Sequence, residues 1–567
     1  MKRWLISLFL GSLFLGVALA AYHSFAPEQS SLARYAPPGA LLYLEAKDFS
    51  GLLTNWNSSH EKQQWLQSAD YEVFSRSRLF LRLKEASDQF ASAAGLPADV
   101  NFVSQVAGSQ SALALYDIGK LQFLYITKLD SSQAEQTELL QSRAKFETRN
   151  AAGTPFYLRT DPEAGRQVAF ATSGGYLFLA TREDLLAGAL ELIAGNNNPA
   201  LESEAWWTRS LSAKGKPGDL RMVLNLEKIV PSPYFRSYWI QKNITDMKAY
   251  STAVSDLFLS GSEYREERVL LKKSGNGVEG ASPTGRAAVA ELMRLVPMDE
   301  GAYQISSNPP ADASLSLLET KLLAPHPGPG VASQIAPQVQ LTSGNTGGSG
   351  DLETRIDEPP LETPAQAASS DSIKSLLAQN PVLASLNVWS TEIGPNGVFV
   401  RFHTAVVFLG KSDWNESAMR SAVVGFIRPM LTASDLGTAW QSASNHWELD
   451  GLWPLSAAVR GKYLFLSDDP KILDEMLSRI GRPANVPPAS FIAGFNHARE
   501  GAPFARLTRL LDDQRAASAS SADRTPEFFS ENIASLSSAL SAVSSEKIVV
   551  RDSGDRELQT VTYEWAN

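Results

Sequence analysis

The chain of 567 residues contains no cysteine. That absence excludes a disulfide framework, a thiolate nucleophile, a cysteine-bound zinc and a lipidated cysteine behind a leader. Histidine is nearly as scarce. His23, His60, His326, His403, His446 and His497 include no i, i+4 pair, so the spacing that marks a zinc-binding helix is missing. Basic residues are outnumbered, 51 Lys and Arg against 61 Asp and Glu, for a formal charge of −10. Such a surface repels phosphate backbones and argues against a nucleic-acid partner. The G-x-S-x-G elbow of serine hydrolases is absent as well.

The N-terminus carries the most specific signal. Lys2 and Arg3 precede an uncharged apolar run from Trp4 to Ala21, and Ala18-Leu19-Ala20 offers the small residues of a signal-peptidase site. We expect a signal peptide over residues 1–20, the alternative being an uncleaved anchor over 4–21. No later run is as long and apolar, so the remainder is expected to be periplasmic or otherwise exported, touching membrane only through this segment. A cysteine-free product behind such a leader looks bacterial, and the sequons at Asn57, Asn243 and Asn415 are not read as glycosylation sites. Without Lys2 and Arg3 the formal charge is −12.

Self-similarity is the second strong signal. Gly175-Tyr176-Leu177-Phe178-Leu179 leads through Thr181-Arg182-Glu183 into Leu185, Leu186, Ala189, Leu190 and Ile193. Lys462-Tyr463-Leu464-Phe465-Leu466 leads through Asp468-Asp469-Pro470 into Ile472, Leu473, Met476, Leu477 and Ile480. Asp469 suits an N-cap and Pro470 a first helical position. Asn243 to Ser255 aligns without gaps on Asn532 to Ser544, read as helices, each followed by a strand pair: Leu257 to Leu259 with Arg268 to Leu271, and Ile548 to Val550 with Gln559 to Tyr563. Pro38 to Leu44 opens the first half and Asp299 to Ile305, more weakly, the second. An internal duplication follows, with repeats over 36–275 and 276–567.

Further strands come in adjacent pairs. Ala112 to Tyr116 and Leu121 to Ile126 flank Gly119-Lys120, and Val388 to Ile393 and Val398 to Leu409 flank Pro395-Asn396-Gly397. The expected fold is α+β: two related halves, each a mainly antiparallel sheet with helices packed on one face. A helical stretch from Glu61 to Ala94, with Trp65, Phe74, Leu79, Leu83 and Phe90, is expected to cover the first sheet. After a strand near Ala313 to Leu318, residues 325–372 are rich in Pro, Gly, Ser, Gln and Thr and read as a disordered insertion. Ala516 to Arg524 reads as a second flexible loop.

Motifs that suggest chemistry meet plainer explanations. Ala405-Val406-Val407-Phe408-Leu409-Gly410-Lys411-Ser412 fits a permissive phosphate-loop pattern, but a phosphate loop needs small residues whose N–H groups can wrap an anion, and Val406 to Leu409 is a buried strand. Lys411 then ends a strand and Asp413 caps a helix. Ser59/Lys62 and Ser544/Lys547 match Ser-x-x-Lys in a serine-rich chain. Glu266-Glu267, Asp468-Asp469 and Asp512-Asp513 are carboxylate pairs at element ends, where solvated charge is ordinary. No catalytic residue, metal ligand or cofactor site is assigned. Adjacent tryptophans cannot both face one core from one element, so Trp206 and Trp207 stand as the candidate binding surface.

The opening Pro37-Pro38-Gly39-Ala40-Leu41-Leu42-Tyr43-Leu44, with Lys47-Asp48-Phe49 and Leu52-Leu53, then Ala112 to Asp117 and Tyr176 to Ala180, resembles exported bacterial proteins carrying a domain of unknown function. The resemblance covers Pro37 to Glu191, and Gln304-Ile305-Ser306 departs from it in the second half. It implies architecture and export, not a mechanism. The reading is an exported, non-catalytic cell-envelope interaction or binding protein whose partner is an envelope protein or a hydrophobic ligand. The alternatives are a periplasmic hydrolase with a site between the halves and a periplasmic lipid or hydrophobic-ligand carrier.

Overall fold

Tyr176-Leu177-Phe178-Leu179-Ala180 has no polar face, and a strand of that kind must be covered on both sides. In the computed structural model it is a strand buried from Leu177 to Ala180, and its counterpart Tyr463–Ser467 is buried throughout. The structure describes residues 30–67, 71, 74–76, 78–163, 165–213, 215–232, 247–273, 282–323, 371–394, 400–431, 439–449, 455–483, 486–518 and 543–565.

The strands are β1 Leu42–Ala46, β2 Ser111–Asp117, β3 Gln122–Lys128, β4 Glu147–Ala151, β5 Thr154–Thr160, β6 Gln167–Ser173, β7 Tyr176–Ala180, β8 Leu220–Asn225, β9 Tyr250–Ser260, β10 Glu263–Lys272, β11 Ala302–Ser307, β12 Val382–Ile393, β13 Val400–Gly410, β14 Trp440–Ser442, β15 Trp447–Leu449, β16 Leu455–Arg460, β17 Tyr463–Ser467, β18 Phe491–Asn496, β19 Val543–Asp552 and β20 Arg556–Trp565. The principal helices are α1 Phe49–Ser58, α2 His60–Gln67, α3 Arg78–Ala94, α4 Val100–Val106, α5 Glu183–Ile193, α6 Ala205–Ser212, α7 Pro283–Met293, α8 Ala311–Leu318, α9 Asp371–Gln379, α10 Glu416–Leu431, α11 Pro470–Ser478 and α12 His497–Ser518. The class is α+β, and every strand pairing described below is antiparallel.

One compact unit takes in Ser87–Arg209 together with the chain up to Gly51. Its strands lie in the order β1-β2-β3-β7-β6-β5-β4. Leu177 and Leu179 of β7 are buried with Val168, Phe170, Phe90 and Phe102 on one face. Phe178, in register with Ile126 and Ala171, points to the other, where α5 packs on β6 and β7. The start of the described chain is tied down by Glu45, whose carboxylate accepts from Ser31 Oγ at 2.7 Å, the Leu32 N–H at 3.0 Å, Tyr43 Oη at 3.0 Å and the Gln110 amide at 2.7 Å.

The other unit holds the chain from Ser210 onward with Leu52–Ala86. Its order is β8-β9-β10-β20-β19-β18-β11-β12-β13-β17-β16-β15-β14. Both faces of its centre are covered: Leu386, Val407 and Phe465 are buried with Val289 and Leu292 of α7 and Leu473 of α11, while Val406, Phe408 and Leu464 are buried with side chains of α8, α9 and α10. Cover on two faces, where one was expected, explains the unbroken apolar runs.

The order β1-β2-β3-β7-β6-β5-β4 thus recurs as β11-β12-β13-β17-β16-β15-β14. The likeness extends to single hydrogen bonds. The Thr181 N–H donates to the Phe123 carbonyl at 3.1 Å and the Phe123 N–H to Thr181 Oγ1 at 2.9 Å; likewise the Asp468 N–H donates to the Thr404 carbonyl at 3.1 Å and the Thr404 N–H to Asp468 Oδ1 at 2.6 Å. The β9–β10 and β19–β20 turns each use a glycine at positive φ, Gly261 and Gly554. Six residues beyond each, Glu267 and Thr560 face each other as register partners. That is the arrangement of two like hairpins meeting about a local two-fold axis.

Four further expectations change. Ala313 to Leu318 lies in helix α8, because Leu315, Leu318 and Leu322 bury one helical stripe. Tyr250 to Ser255 is the start of β9, and Ser544 lies in β19, so the helical reading fails there; residues 243–246 and 532–542 lie outside the described residues. In the stretch Glu61 to Ala94 the described residues buried in the core lie at the C-terminal end: Phe90 is buried, but Leu83 is 49% exposed, and the side chain of Leu79 is not described. Residues 516–518 continue helix α12 and 371–372 begin α9, while 325–370 and 519–524 lie outside the described residues.

Candidate functional site

Helix α6 carries the tryptophan pair. Successive side chains on a helix diverge by about 100°, and the two part accordingly. Trp207 is 2% exposed and meets Tyr43 edge-on, with ring centroids 4.9 Å apart. Trp206 stays half-buried and donates its indole N–H to Glu204 at 3.1 Å. Only Trp206 can serve a binding surface; Trp207 is core.

The phosphate-loop match is occupied by other contacts. Ala405 to Gly410 are the buried end of β13, and beyond it the Ser412 N–H and Oγ both donate to Asn380 Oδ1, at 3.0 and 2.9 Å. Asp413 is not the helix cap: Asn415 is, its Oδ1 accepting the Ala418 N–H at 2.9 Å. Ser59 caps α2 by accepting the Lys62 N–H, and the Lys62 ammonium turns to Asn57 at 2.6 Å. Ser544 sits at a register shift at the start of β19 and donates its hydroxyl to the Glu564 carbonyl at 2.9 Å. Glu266 pairs with Arg268, which holds its carboxyl below the usual range against the opposing effect of burial. Asp468 accepts the Thr404 N–H, and Asp469 caps α11 through the Lys471 N–H at 2.8 Å. Asp512 and Asp513 lie within α12.

What the structure does bring together was not visible in sequence spacing. His446 is 7% exposed, with Nδ1 at 3.0 Å from Asp474 and Nε2 at 2.8 Å from Glu448. His403 has Nδ1 at 3.1 Å from Asp469, and Nε2 at ion-pair distance, 3.3 Å, from Glu392. Each imidazole thus stands between two carboxylates. Glu500 on α12 is 1% exposed and accepts the Thr391 N–H at 3.1 Å, the Thr391 hydroxyl and the Arg499 guanidinium. Gly301 makes room for it: a Cβ there would stand 2.0 Å from Glu500 Oε1. Beside it Glu300 is pushed up to about 7, chiefly by burial, with Glu475 and Glu500 adding to the rise and Arg499 opposing it.

These groups serve structure first. In each histidine clasp the carboxylates flank the ring on opposite sides, and among the described residues no three His, Asp or Glu are placed to hold a metal ion. No described helix is long and apolar enough to cross a membrane. Large apolar side chains do reach the surface on consecutive helices of the second unit: Trp56, Leu66, Leu81 and Leu83 are 49%, 45%, 54% and 49% exposed.

No protein-family model matches the chain, and no curated protein matches it. Solved structures similar to it are crystal forms of TP0453. Form I aligns at a TM-score of 0.24 with 11% identity over 44% of this chain and 81% of that one, and form III at 0.23 with 10% identity over 44% and 82%.

Proposed function

We propose that the chain is an exported, non-catalytic cell-envelope protein that presents a surface to another envelope macromolecule, and that its sheets arose by internal duplication. The observation that carries the interaction reading is the exposure of Trp56, Leu66, Leu81 and Leu83 within one stretch of helices. Large apolar groups concentrated on one short stretch of helices are characteristic of contact surfaces, whereas isolated ones are ordinary. Export rests on Lys2-Arg3, the apolar run to Ala21 and the Ala18-Leu19-Ala20 site. Duplication is supported by the repeated strand order and the paired hydrogen bonds at Thr181 and Asp468. The resemblance over Pro37 to Glu191 to exported proteins with a domain of unknown function accords with both.

The test places a photoactivatable crosslinking residue at Trp56 or Leu81 in cells, with Glu85 as a charged control on the same helix as Leu81. One adduct of fixed mass, formed from the apolar positions and not from Glu85, is expected. Absence of any adduct, or rapid turnover of a broad hydrolase panel by the purified protein, overturns the reading.

A further inference from the structure

The segment leading into β1 and the segment leading into β11 read alike. Leu32-Ala33-Arg34-Tyr35-Ala36-Pro37 precedes the one and Leu292-Met293-Arg294-Leu295-Val296-Pro297 the other, aligned without a gap. They also pack alike within their own units: Leu32 and Leu292 are fully buried, and the Nε atoms of Arg34 and Arg294 are both buried without a hydrogen-bond partner. What the two guanidinium groups meet is different.

In the second unit Arg294 belongs to a closed triad. Its Nη2 donates to Glu291 Oε1 at 3.0 Å and to the Tyr463 hydroxyl, and that hydroxyl donates to the same Glu291 oxygen. One carboxylate thus receives both donors. In the first unit Tyr176 holds the place of Tyr463, but the residue three positions before the arginine is Ser31, whose hydroxyl is spent on Glu45 at 2.7 Å. The Arg34 guanidinium lies over the ring of Tyr35, 4.6 Å from its centroid, and that ring meets Tyr176 with centroids 5.4 Å apart. Among the described residues no carboxylate stands within ion-pair distance of Arg34, and the hydroxyls of Tyr35 and Tyr176 have no hydrogen-bond partner. All three side chains are half-buried.

We propose that Arg34, Tyr35 and Tyr176 form a recognition site for a carboxylate brought by a ligand, which plays toward Arg34 the part that Glu291 plays toward Arg294. A guanidinium held over an aromatic ring is restricted in orientation, and its outer nitrogens suit the two oxygens of a carboxylate. The phenol O–H groups add donors beside it, as Tyr463 does in the second unit. On a chain of formal charge −10, this cation has already given up the water at its Nε, so an anion docked there gains more than it would at a solvated lysine. The carboxylate can belong to a peptide or to a small free acid. The site is distinct from the apolar helices on which the proposed function rests.

Saturation-transfer NMR titrations on the purified protein test this with two acidic probes, the end-blocked peptide Gly-Asp-Gly and succinate, and with end-blocked Gly-Asn-Gly as the uncharged reference. Saturable binding of at least one acidic probe is expected, and the tighter of the two distinguishes a peptide from a free acid as the source. Arg34→Gln should weaken that binding roughly tenfold or more, the scale of a lost hydrogen bond between charged groups, and Tyr176→Phe about fivefold. Tyr463→Phe, the matching change in the second unit, should leave it unaltered. The proposal fails if neither acidic probe binds, if Gly-Asn-Gly binds as well as Gly-Asp-Gly, or if Arg34→Gln keeps the wild-type affinity.

Discussion

Removing Arg221 should be the most damaging single change in the second unit. Asp256 of β9 is fully buried and lies directly across from Arg221 of β8. Its carboxylate accepts from Arg221 Nε at 2.7 Å, Arg221 Nη2 at 2.9 Å and the Gly218 N–H at 3.1 Å. Arg221→Met preserves most of the side-chain volume but takes from the buried carboxylate the two guanidinium bonds that balance its charge. The expected loss is about 3–5 kcal/mol, the usual cost of stranding one member of a buried pair. Asp256→Leu combined with Arg221→Met removes the stranded charge and should recover most of that loss, leaving a deficit of about 1 kcal/mol for the orphaned Gly218 N–H. A chain with two units need not unfold in one step, so the assay is urea unfolding read by hydrogen exchange at β8 and β9. A loss below about 1 kcal/mol for Arg221→Met, or a double variant worse than the single, would refute the reasoning.

Other consequences can be measured directly. Trp207→Ala should destabilise the first unit by about 3–5 kcal/mol through the cavity beside Tyr43, whereas Trp206→Ala should cost under about 1 kcal/mol; calorimetry of the two variants separates core from surface. Glu300 binds its proton more tightly in the folded state, so its contribution to stability is full below the ordinary carboxylate range and is lost as the pH rises through about 7. Glu300→Gln should therefore gain about 1–2 kcal/mol over wild type at pH 8 and almost nothing at pH 4, the figure being reduced for partial exposure; urea midpoints at the two pH values check the sign. Tyr43→Phe should cost about 1–2 kcal/mol by removing a donor from Glu45, visible in the melting of the first unit. Cleavage after Ala20 predicts a mature N-terminus at Ala21, read by mass spectrometry of the protein from cell fractions.

The parts of the fold legible in the sequence were those set by local rules. Tyr176 to Ala180 and Tyr463 to Ser467 announce themselves as buried strands, though cover on one face was expected and two faces are covered, and Asp469-Pro470 announces a helix start that the Asp469–Lys471 bond realises. The α8 segment misled because Ala313, Leu315 and Leu317 alternate like a strand; burial of Leu315, Leu318 and Leu322 along one stripe decided for a helix, which no short window reveals. The histidine clasps were invisible for a different reason. His446 and Asp474 are far apart along the chain and meet only because α11 folds back beside β15 and β16. Trp206 and Trp207 were rightly expected to part, but which one turned inward depended on Tyr43, in a strand at the other end of that unit's sequence.

The pairing of β10 with β20 bears on how the molecule can be made. About three hundred residues separate these strands along the chain, so this sheet stays incomplete until β20 has been made, and contacts of such range form slowly. Until then β10 offers an unpaired edge, the kind of surface that invites aggregation. A polypeptide built this way gains from being kept extended during synthesis and folding afterwards, and a truncation that removes only β20 should precipitate rather than leave a working front portion.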